Sequence, residues 1–106
     1  TVRKQAVAFL AGEIQGWQVA VKNPSLGAEL TVNQFGKGLG LTYKGELLAA
    51  EATNAVTVSS ETQKHGLFYL SPEAIADTDS TLAKTGVHVP RSLFNTTLLQ
   101  EAYALI

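Results

Sequence analysis

The spacing of apolar residues predicts a long amphipathic helix at the start of the chain. Apolar side chains recur at steps of three and four, the spacing of one helical face, at Ala6, Leu10, Ile14, Trp17 and Val21. A residue before a proline is pushed out of the α region, so the helix should end at Lys22, before Asn23-Pro24. Asn23 also suits an N-cap, and Pro24 suits the first position of a second helix. We therefore expect two helices to meet here at a sharp corner.

The second and third helices are predicted from shorter patterns. The second should run from Pro24 to Gln34 or Phe35, with Gly36 ending it in a positive-φ conformation. Thr42 suits the N-cap of the third helix, whose apolar stripe would be Leu47, Leu48, Ala52, Ala55 and Val56. The β-branched run over residues 55–60 leaves a short strand open as an alternative for the end of this segment.

The C-terminal half is predicted to be helical with longer connections. Residues 61–66 are polar and indicate a loop, and residues 67–70 form a short apolar run that could be one turn or an extended contact. Ser71-Pro72 is a strong helix start, and this fourth helix should continue to about Lys84 and stop at Gly86. Residues 87–90 should be extended and followed by a single turn.

Asn95 is predicted to cap the last helix, which would bury Leu98, Leu99, Ala102 and Leu105. The predicted fold class is therefore mostly α. It comprises about five helices with short connections and little or no sheet, in one unit over residues 1–106.

Composition and charge narrow the function classes. The 106 residues are 45% hydrophobic and 16% charged, which is typical of a globular chain. A formal net charge of -1 gives no electrostatic reason to expect nucleic acid as a partner. The chain has no methionine, which we interpret as a sign that it is part of a longer polypeptide.

No catalytic or metal-binding pattern is evident in the sequence. There is no cysteine, and His65 and His88 lie far apart without metal-ligand spacing. The glycine-spaced segment 35–40 lacks the spacing of a phosphate-binding loop and indicates a flexible connection. We expect no metal, no cofactor and no enzymatic activity, and we expect Trp17, Phe94 and Tyr103 to be packing residues.

Two ordered motifs resemble one protein family. In the first segment, the matching positions are Phe9, Leu10, Gly16, Trp17, Ala20, Asn23, Pro24 and Ala28. In the last segment, a helix end at Leu82, Lys84, Thr85 and Gly86 is followed by the run from Leu93 to Tyr103. Together they resemble the C-terminal part of SsuA/THI5-like periplasmic substrate-binding proteins of ABC transporters.

The resemblance implies a fold and a function. The chain would be the C-terminal helical part of a two-domain α/β fold, the periplasmic-binding-protein type 2 fold, with most ligand-contacting loops upstream of Thr1. The ligand would be a small molecule of the nitrate, sulfonate, taurine or thiamine-pyrimidine-precursor class. The further partner would be an ABC permease, and the parent protein would be extracytoplasmic, either periplasmic or a lipoprotein.

Within this chain, the resemblance places Glu51 and Asn54 of the third helix near the ligand cleft, and they are the candidate ligand-binding residues. Lys37 and Arg91 are further cations that could meet an anion, although surface positions suit both. We also expect the isolated chain to cover its apolar helix faces by self-association or domain exchange.

Two other functions remain open at this point. One is a free-standing helical domain that binds a protein partner, which fits the helical pattern and the lack of catalytic motifs. The other is a thiamine-pyrimidine synthase of the same fold, whose cysteine-rich motif would lie upstream.

Overall fold

The computed structural model describes residues 1–106 and is helical throughout, without a strand. The mostly α prediction is therefore confirmed, with six α-helices instead of about five. The elements are α1 (Val2–Lys22), α2 (Pro24–Leu30), a π-helical turn (Thr31–Phe35), α3 (Tyr43–Thr57), α4 (Ser60–His65), α5 (Pro72–Lys84), a 3-10 turn (Arg91–Leu93) and α6 (Thr97–Ala104).

The corner between α1 and α2 forms as the sequence predicts. The Asn23 backbone N–H donates to the carbonyl oxygen of Val19 and closes α1, while its Oδ1 accepts from the backbone N–H of Leu26 at 3.2 Å. Asn23 thus satisfies groups at two helix ends, and Pro24 follows at the first position of α2.

The end of the second helical segment is as predicted, but the role given to Gly36 is wrong. Its φ is −106°, and the positive φ values belong to Gly38 and Gly40. Gly36 is instead required by close approach, because a Cβ there would lie 2.6 Å from the carbonyl oxygen of Thr31. The π-helical turn brings that carbonyl inward at the end of the helix.

The connection after α3 differs from the prediction. The strand alternative is wrong, since α3 continues to Thr57 from an N-cap at Thr42. The loop predicted over residues 61–66 is also wrong, because Ser59 and Thr62 form a capping box that starts α4. Gly66, at φ 99°, then ends this short helix.

The boundaries of α5 agree with the prediction, whereas the start of α6 differs from it. Ser71 caps α5 by accepting from the backbone N–H of Ala74 at 3.0 Å, and Gly86 follows the helix with φ 84°.

The predicted N-cap of α6 is wrong, because the cap position is Thr96, although Asn95 Oδ1 accepts from the backbone N–H of Thr97 at 3.0 Å. The predicted burial of Leu105 is also wrong, since this residue follows the end of α6 and is 64% exposed.

The core lies between α1 and α6, the two ends of the chain. Its buried members are Val7, Ala11, Ile14 and Ala102. The predicted stripe on α1 is confirmed at Ile14, but Ala6 is exposed and Leu10 is only half-buried at the edge of the core, while Val7 and Ala11 are buried. A side chain of α1 is buried only if it faces α6, and Val7, Ala11 and Ile14 are the residues that pack with Ala102 of α6.

The rest of the molecule is thinly packed. Helix α2 packs on α3, yet α3 has no buried residue, and the predicted stripe is largely exposed there (Leu48 60%, Val56 86%). The radius of gyration is 16.7 Å, against about 13 Å for a compact domain of this length. The accessible surface of 7565 Å² is about a third larger than the roughly 5,700 Å² expected for a folded monomer of 11.2 kDa.

Candidate functional site

An open groove is bounded by α1, α5, α6 and the segment between α4 and α5. Its volume is about 780 Å³, within the range of small-molecule sites. Most of the lining is apolar, with polar groups at several points: Leu10, His65, Phe68, Tyr69, Leu70, Pro72, Ile75, Arg91, Asn95, Thr96, Leu98, Leu99, Gln100 and Tyr103. We call this feature the α1–α6 groove.

The segment Gly66–Leu70, here called the strap, lines the groove with its last three residues and is tied to α6. The hydroxyl of Tyr103 donates to the carbonyl oxygen of Leu67 at 2.9 Å. Partial burial raises the pKa of the Tyr103 phenol above its ordinary value of 10.0. At Gly66 there is no room for a side chain, since a Cβ would lie 2.7 Å from the Tyr103 ring.

A second tie joins the strap to α1. Phe68 has φ 70°, an uncommon conformation for a bulky residue, and it is the one non-glycine residue with positive φ. Its ring meets Trp17 edge-on, with centroids 6.3 Å apart and an interplanar angle of 88°. Trp17 is half-buried in this contact, in agreement with the packing role predicted for it.

His65 and Arg91 line the groove. His65 stacks on Tyr69 with ring centroids 4.1 Å apart, and its Nε2 lies 3.9 Å from a carboxylate oxygen of Glu61. Arg91 lies 3.8 Å from Asp79, a long ion pair that leaves the guanidinium largely exposed. These groups can attract an anion or hydrogen-bond to a polar ligand, but no nucleophile is paired with a base here.

The candidate ligand residues Glu51 and Asn54 lie outside this groove. The side-chain amide of Asn54 donates to the carbonyl oxygen of Ala20 at 3.0 Å and so connects α3 to the end of α1. Glu51 lies one turn earlier on α3 and is exposed. Lys37 is exposed in the loop before α3, whereas Arg91 is the predicted cation that does line the groove.

Sequence reasoning missed the groove because its parts are distant in the chain. The signals were present in the short apolar run of the strap and in Tyr103, but nothing in their spacing indicates that they meet. A smaller concavity of about 190 Å³ lies beside the end of α1 and contains neither candidate residue.

No three His, Cys, Asp or Glu side chains are grouped closely enough to hold a metal ion. None of the helices combines the length and the apolar character needed to cross a bilayer.

Comparison of the chain with protein-family models, with curated proteins and with solved structures finds no significant match.

Proposed function

We propose that this chain belongs to the solute-binding component of an ABC importer and forms its C-terminal helical part. The ligand class is that of nitrate, sulfonates, taurine or thiamine-pyrimidine precursors. The protein acts outside the cytoplasm, closes two domains around the solute and delivers it to a permease. No catalytic step is part of this role.

The observation that supports the proposal best is the contact between α1 and α6. The two segments that carry the family resemblance lie at opposite ends of the chain, and they pack on each other around Ile14 and Ala102. Their pairing is reinforced by an ion pair of 2.9 Å between Arg3 and Glu101.

The open packing also fits a part of a larger α/β protein. A helix that is apolar on one side needs a second layer to cover it, and in α/β folds that layer is a sheet. Much of this chain lacks such a cover, with Phe9 71% and Phe35 84% exposed.

In this proposal, Glu51 and Asn54 lie near the cleft between the two domains. Glu51 is the better candidate for direct ligand contact because its carboxylate is exposed. The Asn54 amide is occupied by Ala20, so Asn54 would act by holding α3 in position beside α1.

The test is ligand binding by the natural gene product that contains this chain, isolated from its host. Calorimetric titration with nitrate, taurine, an aliphatic sulfonate and an aminopyrimidine should give saturable binding of one class. Glu51→Gln should weaken that binding, whereas Glu73→Gln, at an exposed position in α5, should leave it unchanged. If the natural protein that contains this chain binds none of the four ligands, the proposal is overturned.

A second candidate is a helical domain that binds a protein partner, and one observation favours it. The exposed apolar side chains of α3 and of the turn before it, among them Phe35 and Val56, offer a hydrophobic surface. This alternative would be favoured if the natural protein that contains this chain co-purifies with one stable protein partner and binds no small solute.

A further inference from the structure

Residues 33–45 connect α2 to α3 and are here called the α2–α3 loop. Every residue in this loop is exposed except Gly36. Its large apolar side chains are exposed as well, with Phe35 at 84% and Leu39 at 73%. No residue of the loop lines either of the two concavities described above. The loop therefore presents apolar side chains to solvent without a groove around them.

The α2–α3 loop is a closed turn held by its own backbone. The backbone N–H of Gly36 donates to the carbonyl oxygen of Thr31 at 2.7 Å, and the N–H of Leu39 donates to the carbonyl oxygen of Gly36 at 3.1 Å. Leu41 folds back on this turn, since a Cβ on Gly36 would lie 2.8 Å from its Cδ1 atom. The apolar side chains are thus exposed on a folded turn that already satisfies part of its backbone.

The α2–α3 loop is cationic, although the chain as a whole has a net charge of -1. It contains Lys37 and Lys44 and neither aspartate nor glutamate. Glu46, the first acid after it, is half-buried in the first turn of α3. Both lysines are exposed, and neither forms an ion pair. Two unpaired positive charges therefore lie beside the exposed apolar side chains.

We propose that the α2–α3 loop docks on an anionic lipid surface. Phe35 and Leu39 enter the boundary between headgroups and acyl chains, where burial of apolar area stabilises binding. Lys37 and Lys44 meet the lipid phosphates, and each adds electrostatic attraction. A protein partner needs about 800 Å² of matched surface, whereas a fluid bilayer accepts a small exposed loop without shape complementarity. Lipid, in place of a sheet, would then cover Phe35, and this docking does not depend on the proposed transport role.

The experiment is co-sedimentation of the chain with vesicles of phosphatidylcholine alone and of equal parts phosphatidylcholine and phosphatidylglycerol. We expect the chain to bind the anionic vesicles selectively, and added salt to weaken this binding because the lysines are exposed. The double variant Lys37→Gln with Lys44→Gln should lower the partition coefficient by about tenfold or more. Phe35→Ala should lower it by about fivefold or more, through the loss of buried apolar area.

Each variant has a matched control outside the loop. Phe9→Ala removes a phenylalanine that is 71% exposed on α1. Lys4→Gln with Lys64→Gln removes the same charge from exposed positions on α1 and α4. Both controls should bind like the wild type, and all proteins should show the same helical circular dichroism.

Three results would overturn the proposal. They are no binding to anionic vesicles, equal binding to neutral vesicles, and a control that weakens binding as much as its matched loop variant. Binding to polyglutamate without binding to anionic vesicles would assign the loop to an acidic protein partner and would also overturn it. Solute binding by the natural protein is measured separately, so either proposal can fail alone.

Discussion

The two helix pairs of this molecule differ in what they bury. Helices α1 and α6 enclose Val7, Ala11, Ile14 and Ala102, with half-buried leucines around them. Helices α2 and α3 also lie close together, yet Ala28 is the one buried residue of that pair. The backbones approach closely in both pairs, and the pairs differ in how much apolar area they bury.

The difference shows what small residues do at a helix contact. Ala102 and Ala28 are both almost fully buried, at 0% and 1% exposure, and each lets a neighbouring helix come near. An alanine removes little apolar area from water, so it permits contact without supplying much stability. Only the first pair adds a large side chain, Ile14, that is itself fully buried.

The largest expected effect is the loss of Ile14 from the core. Ile14→Ala removes a side chain at 0% exposure and should lower the free energy of unfolding by about 2–5 kcal/mol. Leu48→Ala removes an aliphatic side chain of the same size from α3, where Leu48 is 60% exposed. This change should alter the free energy of unfolding by about 0.5 kcal/mol or less. Urea denaturation followed by circular dichroism measures both. Equal losses of unfolding free energy would mean that the two helix pairs contribute equally to stability, against this expectation.

A smaller but still clear effect is expected at Gly66, where the strap joins α6. Gly66→Ala combines a φ of 99° with a Cβ placed 2.7 Å from the Tyr103 ring, so it should destabilise the chain by about 1–3 kcal/mol. Gly12→Ala is the control, since no atom lies within 4 Å of its Cβ position and it sits inside α1. That change should stabilise the chain by about 1 kcal/mol. Destabilisation by both would disprove the special role of the strap.

The smallest effect is a pH dependence of stability that comes from Tyr103, on the α1–α6 side of the molecule. The pKa of Tyr103 is raised in the folded chain by partial burial, so folding favours the neutral phenol. Its stabilising contribution is complete below the unfolded value of 10.0 and is lost as the pH rises through the folded pKa. Ionisation also removes the hydrogen bond donated to Leu67.

The measurement is thermal unfolding of the wild type and of Tyr103→Phe between neutral and alkaline pH. The stability difference between the two proteins should narrow above pH 10.0. Tyr43→Phe, at an exposed position on α3, should run parallel to the wild type throughout. A constant difference for Tyr103→Phe would contradict the linkage.

The helix boundaries were predictable because the signals are local. Asn23-Pro24, Thr42, Ser71 and Gly86 act on backbone groups within a few residues, and each marks a helix end in the structure. The start of α4 is also set by a local signal, the capping box of Ser59 and Thr62, whereas the loop prediction relied on the polar composition of that segment. Local signals of this kind need no knowledge of the fold.

Burial and the groove could not be predicted in the same way. Which face of α1 is covered depends on where α6 approaches it, and α6 lies at the other end of the sequence. The apolar stripe on α3 has the right spacing, yet Val56 is 86% exposed because nothing in the chain covers it. A pattern shows which side of a helix is apolar, but the partner decides whether that side is buried.

The position of the core has a consequence for the order in which the molecule forms during synthesis. Arg3 donates to Thr97 across a separation of 94 residues, so the core joins the first helix to the last. Contacts between such distant residues form slowly, and a ribosome releases the N-terminal segment first. The face of α1 that packs on α6 therefore stays without this partner until α6 has emerged.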